Sequence, residues 1–315
     1  MKRGSVVSAD SKTIPLVVIA GPTAVGKSGA AVDVCLRIGG QVVSADSMQV
    51  YKKLDIATAK VSREQQKGVK HHLIDVVEPD IKFGVYDYVN LADKAIKEIT
   101  ENNGRPVVCG GTGFYIDVLL NRSQYADLIL QNDIESVNAE YDESNGEKLL
   151  EELKSSNSKY IAKIHQNDKK RIVREVVRLR SMGKNQNPEA ENPNYKSIGV
   201  LIGTSKMHSL YKRIDERVDN MIKTGLVDEA EYVYKNRHLF ETATYAIGYK
   251  EFFPLFDGVN TLAECVEDLK RSTRRYAKRQ MTWFRNKSKF SCGFKWFDME
   301  NIDIREIESY IFSFE

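Results

Sequence analysis

The residues with the clearest capacity for chemistry form a loop near the N-terminus, Gly21-Pro22-Thr23-Ala24-Val25-Gly26-Lys27-Ser28, which fits the pattern G-x-x-x-x-G-K-[ST] in full. Such a loop lets backbone N–H groups converge on phosphate oxygens, and the start of the following helix adds partial positive charge. Lys27 would neutralise the terminal phosphates, and the Ser28 hydroxyl is placed to ligate Mg²⁺, the expected cofactor. The loop predicts a bound phosphate but leaves the reaction open, because kinases, NTPases and transferases that release diphosphate can all use it.

Three more residues draw attention through their place in the predicted elements. Asp46 follows a predicted strand, at the sheet edge where α/β proteins bind ligands, so its carboxylate could be a general base, a helix cap or a Mg²⁺ ligand. Thr112 follows two glycines and opens a helix, which by itself favours a capping role. Arg217 lies in a charged helix and by itself reads as a solvated side chain.

A basic segment covers residues 270–289 and contains nine Lys and Arg residues but no acid. Tyr276, Trp283 and Phe284 are interleaved with these charges, which favours contact with a phosphate backbone over a simple solvated face. Arg274 and Lys278 are our candidates for such contacts. Residues 159–174 form a second basic cluster, and two basic regions beside a catalytic core would suit a folded RNA stem.

The composition is that of an ordinary globular protein, with 42% hydrophobic and 29% charged residues among 315. The formal net charge is only +3, so any nucleic-acid surface must come from local clusters. The four cysteines show no CxxC spacing, and Cys35 and Cys109 lie in apolar runs, as expected for reduced core residues in a cytoplasmic protein. We find no signal peptide and no run near the roughly 20 apolar residues of a membrane span, so we expect no membrane partner.

The elements that must position these groups alternate between strands and helices. Continuous apolar runs predict buried parallel strands at 16–20, 41–45, 106–109 and 197–203. Helical patterns follow three of these runs, at 27–38, 87–102 and 113–120. Strand, turn and helix recurring in this way predict an α/β fold with a doubly wound parallel sheet.

A different pattern occupies the middle of the chain. Strand signals are weak after residue 122, and charged helical patterns dominate until a strand pattern returns at Ser197, after a polar linker at 185–193. We therefore predict a helical insertion domain at 123–196. The catalytic core would be formed by residues 1–122 and 197–315, with long helices at 210–223 and 262–285.

Seven segments, taken in order, resemble the tRNA dimethylallyltransferase (tRNA isopentenyltransferase) family in its short bacterial form. The resemblance covers about Val17 to Arg285, most of the chain. The segments are SADSMQVYK at 44–52, LDIATAK at 54–60, HHLID at 71–75, GGTGFYI at 110–116, RIDERV at 213–218, AIGYKE at 246–251 and TRRYAKRQMTWFR at 273–285.

The resemblance implies a P-loop kinase-like fold and transfer of a dimethylallyl group from dimethylallyl diphosphate to N6 of an adenosine adjacent to the anticodon, with release of diphosphate. The P-loop would hold the diphosphate, Asp46 would be the general base, and Thr112 and Arg217 would help to hold the reacting groups. The insertion domain would touch the tRNA anticodon stem-loop, and the enzyme is expected to act as a monomer. The implied tRNA contacts are Asp46, Ser47, Met48, Gln49, Lys170, Arg171, Arg174, Tyr245, Gly248 and Lys250.

Three alternatives stay open at this stage. Adenylate isopentenyltransferases prenylate a free nucleotide and share most of these motifs, although the insertion and the basic clusters favour tRNA. A small-molecule kinase would rest on the P-loop alone. A non-catalytic RNA-binding module would leave Asp46 and the P-loop without a role.

Overall fold

The computed structural model describes residues 13–121, 131–144, 146–156, 164–181, 195–286 and 293–314. The chain divides into two compact units, one formed by Met1–Leu120 with Pro193–Glu315 and the other by Asn121–Asn192. The predicted polar linker at 185–193 lies outside the described residues. Within the described ranges, no helix is long and apolar enough to cross a membrane.

A six-stranded sheet forms the centre of the larger unit, and all its strand pairs are parallel. The spatial order is β3-β2-β4-β1-β5-β6. The central strands are apolar and nearly fully buried because helices cover both faces of a doubly wound sheet. The strands are β1 (Ile14–Ala20), β2 (Gly40–Ser44), β3 (His71–His72), β4 (Arg105–Gly110), β5 (Tyr195–Gly203) and β6 (Phe294–Asp298).

The helices of the larger unit connect these strands and extend the fold beyond the sheet. The strand pairing places Ala20 beside both Gly110 and Leu201, so β1, β4 and β5 end at one edge. The helices are α1 (Lys27–Ile38), α2 (Arg63–Gln66), α3 (Val85–Glu101), α4 (Gly113–Leu120), α8 (Met207–Lys223), α9 (Leu226–Lys235), α10 (Glu241–Thr244), α11 (Phe253–Phe256), α12 (Leu262–Asn286) and α13 (Ile304–Phe312), with a 3₁₀ turn at Lys250–Phe252.

The smaller unit is built from helices in its described residues, α5 (Gln131–Ser144), α6 (Glu147–Ser155) and α7 (Lys169–Ser181). Its core contains Leu149, Leu153 and Val176, which come from α6 and α7. Arg180 on α7 donates hydrogen bonds to Glu140 on α5 at 2.8 Å and to Glu152 on α6 at 2.7 Å, so one guanidinium links the three helices.

The predicted fold class is confirmed, since the sheet is parallel and doubly wound and the four predicted strands are all present. Two strands escaped prediction, β3 because it has only two residues and β6 because its edge position leaves it partly exposed. His71 and His72 form β3. His72 Nε2 lies 2.8 Å from Oε1 of Gln41, and burial lowers the pKa of both imidazoles, as expected of histidines with a structural role.

Candidate active site

A cavity of about 460 Å³ opens at the carboxyl edge of the sheet. Loops that follow β1, β2 and β4 meet there because parallel strands end at one edge. Helices α8 and α12 and the 245–250 segment complete its lining. The predicted site residues that line it are Thr23, Lys27, Ser28, Asp46, Ser47, Met48, Gln49, Arg217, Tyr245, Gly248 and Lys250.

The P-loop joins β1 to α1 with the backbone geometry of an anion site. Ala24 and Gly26 have φ angles of 65° and 91°, and Gly26 caps the N-terminus of α1. Alternation of left-handed residues with ordinary ones turns successive N–H groups toward one point. Lys27 Nζ donates to the Pro22 carbonyl at 2.5 Å. The loop thus holds its lysine against its own backbone.

The environment of Lys27 disfavours its positive charge unless an anion binds nearby. The pKa of its ammonium is lowered to about 8, chiefly by removal from solvent and to a smaller extent by Arg217, while Cys109 and Asp46 act in the opposite direction. Burial likewise lowers the pKa of Arg217, an effect that Asp46 opposes. Two partly buried cations that repel each other are stabilised when a diphosphate binds beside them. Arg217, which by itself reads as a solvated residue, is half-buried and lines the cavity.

Gln280 connects the P-loop to the loop after β4. Its Oε1 accepts from Thr23 N–H at 2.8 Å, and its Nε2 donates to the Gly111 carbonyl at 2.9 Å. Gln280 is buried on α12, so these bonds are shielded from water. The Thr23 N–H is therefore engaged within the protein, and the phosphate contacts fall to the later residues of the loop. No local pattern singles out Gln280 as a site residue, although it lies inside the TRRYAKRQMTWFR segment.

Asp46 begins a tight turn after β2. Its Oδ1 accepts from Met48 N–H at 2.9 Å and from Gln49 N–H at 3.3 Å. This turn fixes one carboxylate oxygen and leaves the other for the cavity that Asp46 lines. The side chain is half-buried, and it lies close enough to Lys27 and Arg217 to act on both of their pKa values. A carboxylate so held can orient and deprotonate a bound amine.

Thr112 holds this turn in position through its side chain, while its carbonyl accepts from Ile116 N–H at the start of α4, at 3.3 Å. Its Oγ1 accepts from Ser47 N–H at 3.1 Å, and its own N–H donates to the Ala45 carbonyl at 3.1 Å. Thr112 thus lies at the expected N-cap position of α4, but its hydroxyl binds the neighbouring loop across the sheet edge instead of its own helix. Thr112 thus positions the backbone on both sides of Asp46.

A second wall of the cavity comes from the 54–60 and 245–250 segments. Gln49 Nε2 donates to the carbonyls of Thr58 and Ala59, at 3.1 and 3.4 Å. Lys60 is 7% exposed and donates to the Tyr51 carbonyl, to Asp75 and, at 2.6 Å, to Asp55. The lysine of the ATAK stretch is therefore a structural tie within its loop and does not face the cavity.

Helix α12 carries the basic segment, and the structure separates its charges into two groups. Lys270, Arg271 and Arg274 are paired with acids, Arg274 with Asp215 at 2.6 Å. Further along, Arg275, Lys278 and Arg279 line a second cavity together with Thr282, Trp283 and Asn286. Within the described parts of the chain, Arg275 and Lys278 form no ion pair. Lys287 and Lys289 lie outside those parts.

Three further predicted contacts lie on α7 in the smaller unit. Lys170, Arg171 and Arg174 are exposed, and Arg171 pairs with Asp168 at 3.3 Å. Part of the second basic cluster, residues 159–163, lies outside the described residues. The exposure of the three cations leaves them available to an external anion.

A metal ion at this site would have few protein ligands. Among the described residues, no group of three or more His, Cys, Asp or Glu side chains could hold a metal. The Ser28 hydroxyl lines the cavity beside Lys27, and a single hydroxyl suits Mg²⁺, which completes its coordination with phosphate oxygens and water.

Comparisons with known proteins converge on one group. The family model described as IPP transferase matches residues 49–287. A tRNA dimethylallyltransferase from Halalkalibacterium halodurans is 40% identical over 94% of this chain and 96% of its own length, and one from Ligilactobacillus salivarius is 40% identical over 95% and 98%.

Solved structures give the same result. A tRNA isopentenylpyrophosphate transferase from Bacillus halodurans superposes with a TM-score of 0.69 at 36% identity, covering 95% of this chain and 96% of its own. A eukaryotic dimethylallyltransferase acting on tRNA superposes with a TM-score of 0.70 at 26% identity, covering 91% and 74%.

Proposed function

This chain belongs to the IPP transferase family, and from that premise we propose that it transfers a dimethylallyl group from dimethylallyl diphosphate to N6 of an adenosine adjacent to the anticodon of tRNA, releasing diphosphate. It is an enzyme, a prenyl transferase that modifies tRNA. The relatives named above act on tRNA by name, and none of them favours the free-nucleotide alternative.

One observation carries the chemistry. The same cavity contains a P-loop lysine, a second cation and a carboxylate, Lys27, Arg217 and Asp46. A kinase and a transferase that releases diphosphate both need cations for the phosphates and a base for the acceptor, and the relatives named above favour the transferase. Lys27 and Arg217 supply the cations and Asp46 supplies the carboxylate, so the residues of this cavity meet both needs.

The donor diphosphate is bound by the P-loop. N–H groups around Gly26, at the start of α1, face the phosphate oxygens, and Lys27 and Arg217 neutralise the charge that grows on the leaving diphosphate. Mg²⁺, held by the Ser28 hydroxyl and phosphate oxygens, would add positive charge against the same group. This arrangement stabilises the leaving group more in the transition state than in the bound donor.

Asp46 accepts the proton of the nucleophile. The exocyclic amine of adenine is a poor nucleophile because its lone pair is delocalised into the ring. As the nitrogen–carbon bond forms and the bond from carbon to the diphosphate oxygen breaks, positive charge develops on the amine and one proton passes to Asp46. The turn at Met48 and Gln49 holds the carboxylate for this step.

The acceptor base enters beside the 245–250 segment. Tyr245 is 76% exposed at the edge of the cavity, and Lys250 lines the same side. An exposed aromatic ring next to a cation suits an unstacked base and its phosphate, which a tRNA loop can present. Arg275 and Lys278 on α12, with Lys170, Arg171 and Arg174 on α7, would bind tRNA phosphates.

The test is a transfer assay with labelled dimethylallyl diphosphate. We expect label to appear in an unmodified tRNA anticodon stem-loop, on N6 of adenosine, and not in AMP. Transfer to AMP in preference to the stem-loop would overturn the proposal in favour of an adenylate isopentenyltransferase.

A further inference from the structure

Glu229, which lies outside every sequence motif and does not line the cavity, is the anchor of two cavity segments. It lies in the first turn of α9 and is half-buried. Its Oε2 accepts from the backbone N–H groups of Asp55 and Ile56, at 2.7 and 2.8 Å. Its Oε1 accepts from Ala57 N–H at 2.9 Å and from the Tyr249 hydroxyl at 2.9 Å.

The two segments that Glu229 joins are both parts of the cavity wall. Ala57 contributes from the first segment and Gly248 from the second. They are also in contact with each other, because a Cβ added to Gly248 would lie 2.5 Å from Cβ of Ala57. Gly248 has a φ of 105°, so glycine is required both by the backbone and by the space. The Glu229 carboxylate therefore holds together two closely packed segments of the cavity wall, without itself lining the cavity.

The chemistry of the contact calls for a carboxylate. Consecutive backbone N–H groups converge on one point, and an ionised carboxyl group accepts several hydrogen bonds without presenting a donor of its own. A glutamine at this position would turn an NH₂ group toward at least one of these donors. Tyr249 is fully buried, and burial together with Glu229 raises the pKa of its hydroxyl, so it remains a donor.

We propose that Glu229 is a positioning residue for the acceptor: it sets the wall formed by residues 55–59 and 245–249, against which the tRNA adenosine is seated. The inference rests on the proposed function. It assigns to Glu229 no contact with substrate. Because the P-loop is held separately, through Gln280, the donor site should not depend on Glu229.

The test compares Glu229→Gln with Glu231→Gln. Glu231 lies on the same helix and makes an exposed pair with Lys235 at 2.9 Å, so its variant controls for loss of one acidic side chain. We expect Glu229→Gln to raise the KM for the anticodon stem-loop about tenfold or more, with the Kd for inorganic diphosphate within about twofold of the parent. Glu231→Gln should match the parent in both.

A second variant keeps the inference testable if Glu229→Gln folds poorly. Tyr249→Phe removes one hydroxyl from the Glu229 carboxylate and should raise the same KM by a smaller factor, about threefold. Combined with Glu229→Gln it should add little, because both changes act through one contact. Additive effects in the double variant would overturn the inference, as would equal rises in the stem-loop KM and the diphosphate Kd.

Failure of the proposed function would look different. In that case the parent enzyme itself would transfer no label to tRNA. Failure of the inference would appear only in the variants, with the parent fully active.

Discussion

The catalytic role of Asp46 makes the sharpest prediction. In Asp46→Asn, Oδ1 can still accept from the N–H groups of Met48 and Gln49, so the turn after β2 should persist. The second carboxylate oxygen becomes an NH₂ group, which cannot take up the proton of the adenine amine. The substitution thus removes the base while it leaves the local backbone intact.

The expected loss follows from what a positioned base contributes. General-base assistance is worth about 10²–10⁴-fold in rate, or roughly 3–5 kcal/mol. We therefore expect Asp46→Asn to lower kcat by at least about two orders of magnitude. Asp46 also raises the pKa of Lys27, so its loss will favour the uncharged lysine. Rates are best compared near pH 7, about one unit below the pKa of Lys27, where the ammonium remains mostly protonated.

The assay is initial-rate transfer of label to the anticodon stem-loop at saturating donor, with diphosphate titration and thermal unfolding of each variant. Asp33→Asn is the matched control, since Asp33 makes an exposed pair with Lys67 at 2.7 Å on the surface of α1. Near-parental kcat in Asp46→Asn would refute the assignment of the base. Loss of diphosphate binding or of thermal stability would show that Asp46 is structural.

Three other predictions concern the P-loop lysine Lys27, the P-loop contact of Gln280 and the proposed RNA-binding cations Arg275 and Lys278. The pKa of Lys27 is about 8, and a bound diphosphate must raise it, so the apparent affinity for diphosphate should fall up to about tenfold per pH unit above pH 8. Diphosphate titrations at several pH values should show this fall in the parent and not in Lys27→Arg, and a parent affinity that does not change with pH would contradict the prediction. Gln280→Leu leaves the Thr23 N–H and the Gly111 carbonyl without their partner and should lower the free energy of unfolding by about 1–3 kcal/mol in urea denaturation. An unchanged free energy of unfolding would mean that these two hydrogen bonds do not stabilise the fold. The double variant Arg275→Gln/Lys278→Gln should reduce the steepness of log affinity for tRNA against log salt concentration by up to about 1.8. Arg274→Gln should change this slope less, because Arg274 is already paired with Asp215. An unchanged slope in the double variant would mean that tRNA binds to another surface.

Local pattern was enough to predict the frame of the active site. The apolar runs of β1, β4 and β5 predict buried strands because a doubly covered sheet tolerates few polar side chains. The P-loop could be read directly because its geometry depends on residues adjacent in sequence. Since loops after parallel strands share one edge, the gathering of Lys27 and Asp46 in one cavity also followed from the order of the elements.

The contacts that hold these groups were beyond the reach of local pattern. Gln280 lies 257 residues from Thr23, Glu229 lies 174 residues from Asp55, and Thr112 lies 65 residues from Ser47. Each is a polar side chain on or beside a helix, where its type and spacing are compatible with simple solvation. Only the folded chain selects a partner for such a side chain, because a buried N–H or carbonyl group that must be satisfied comes within reach when distant elements pack together.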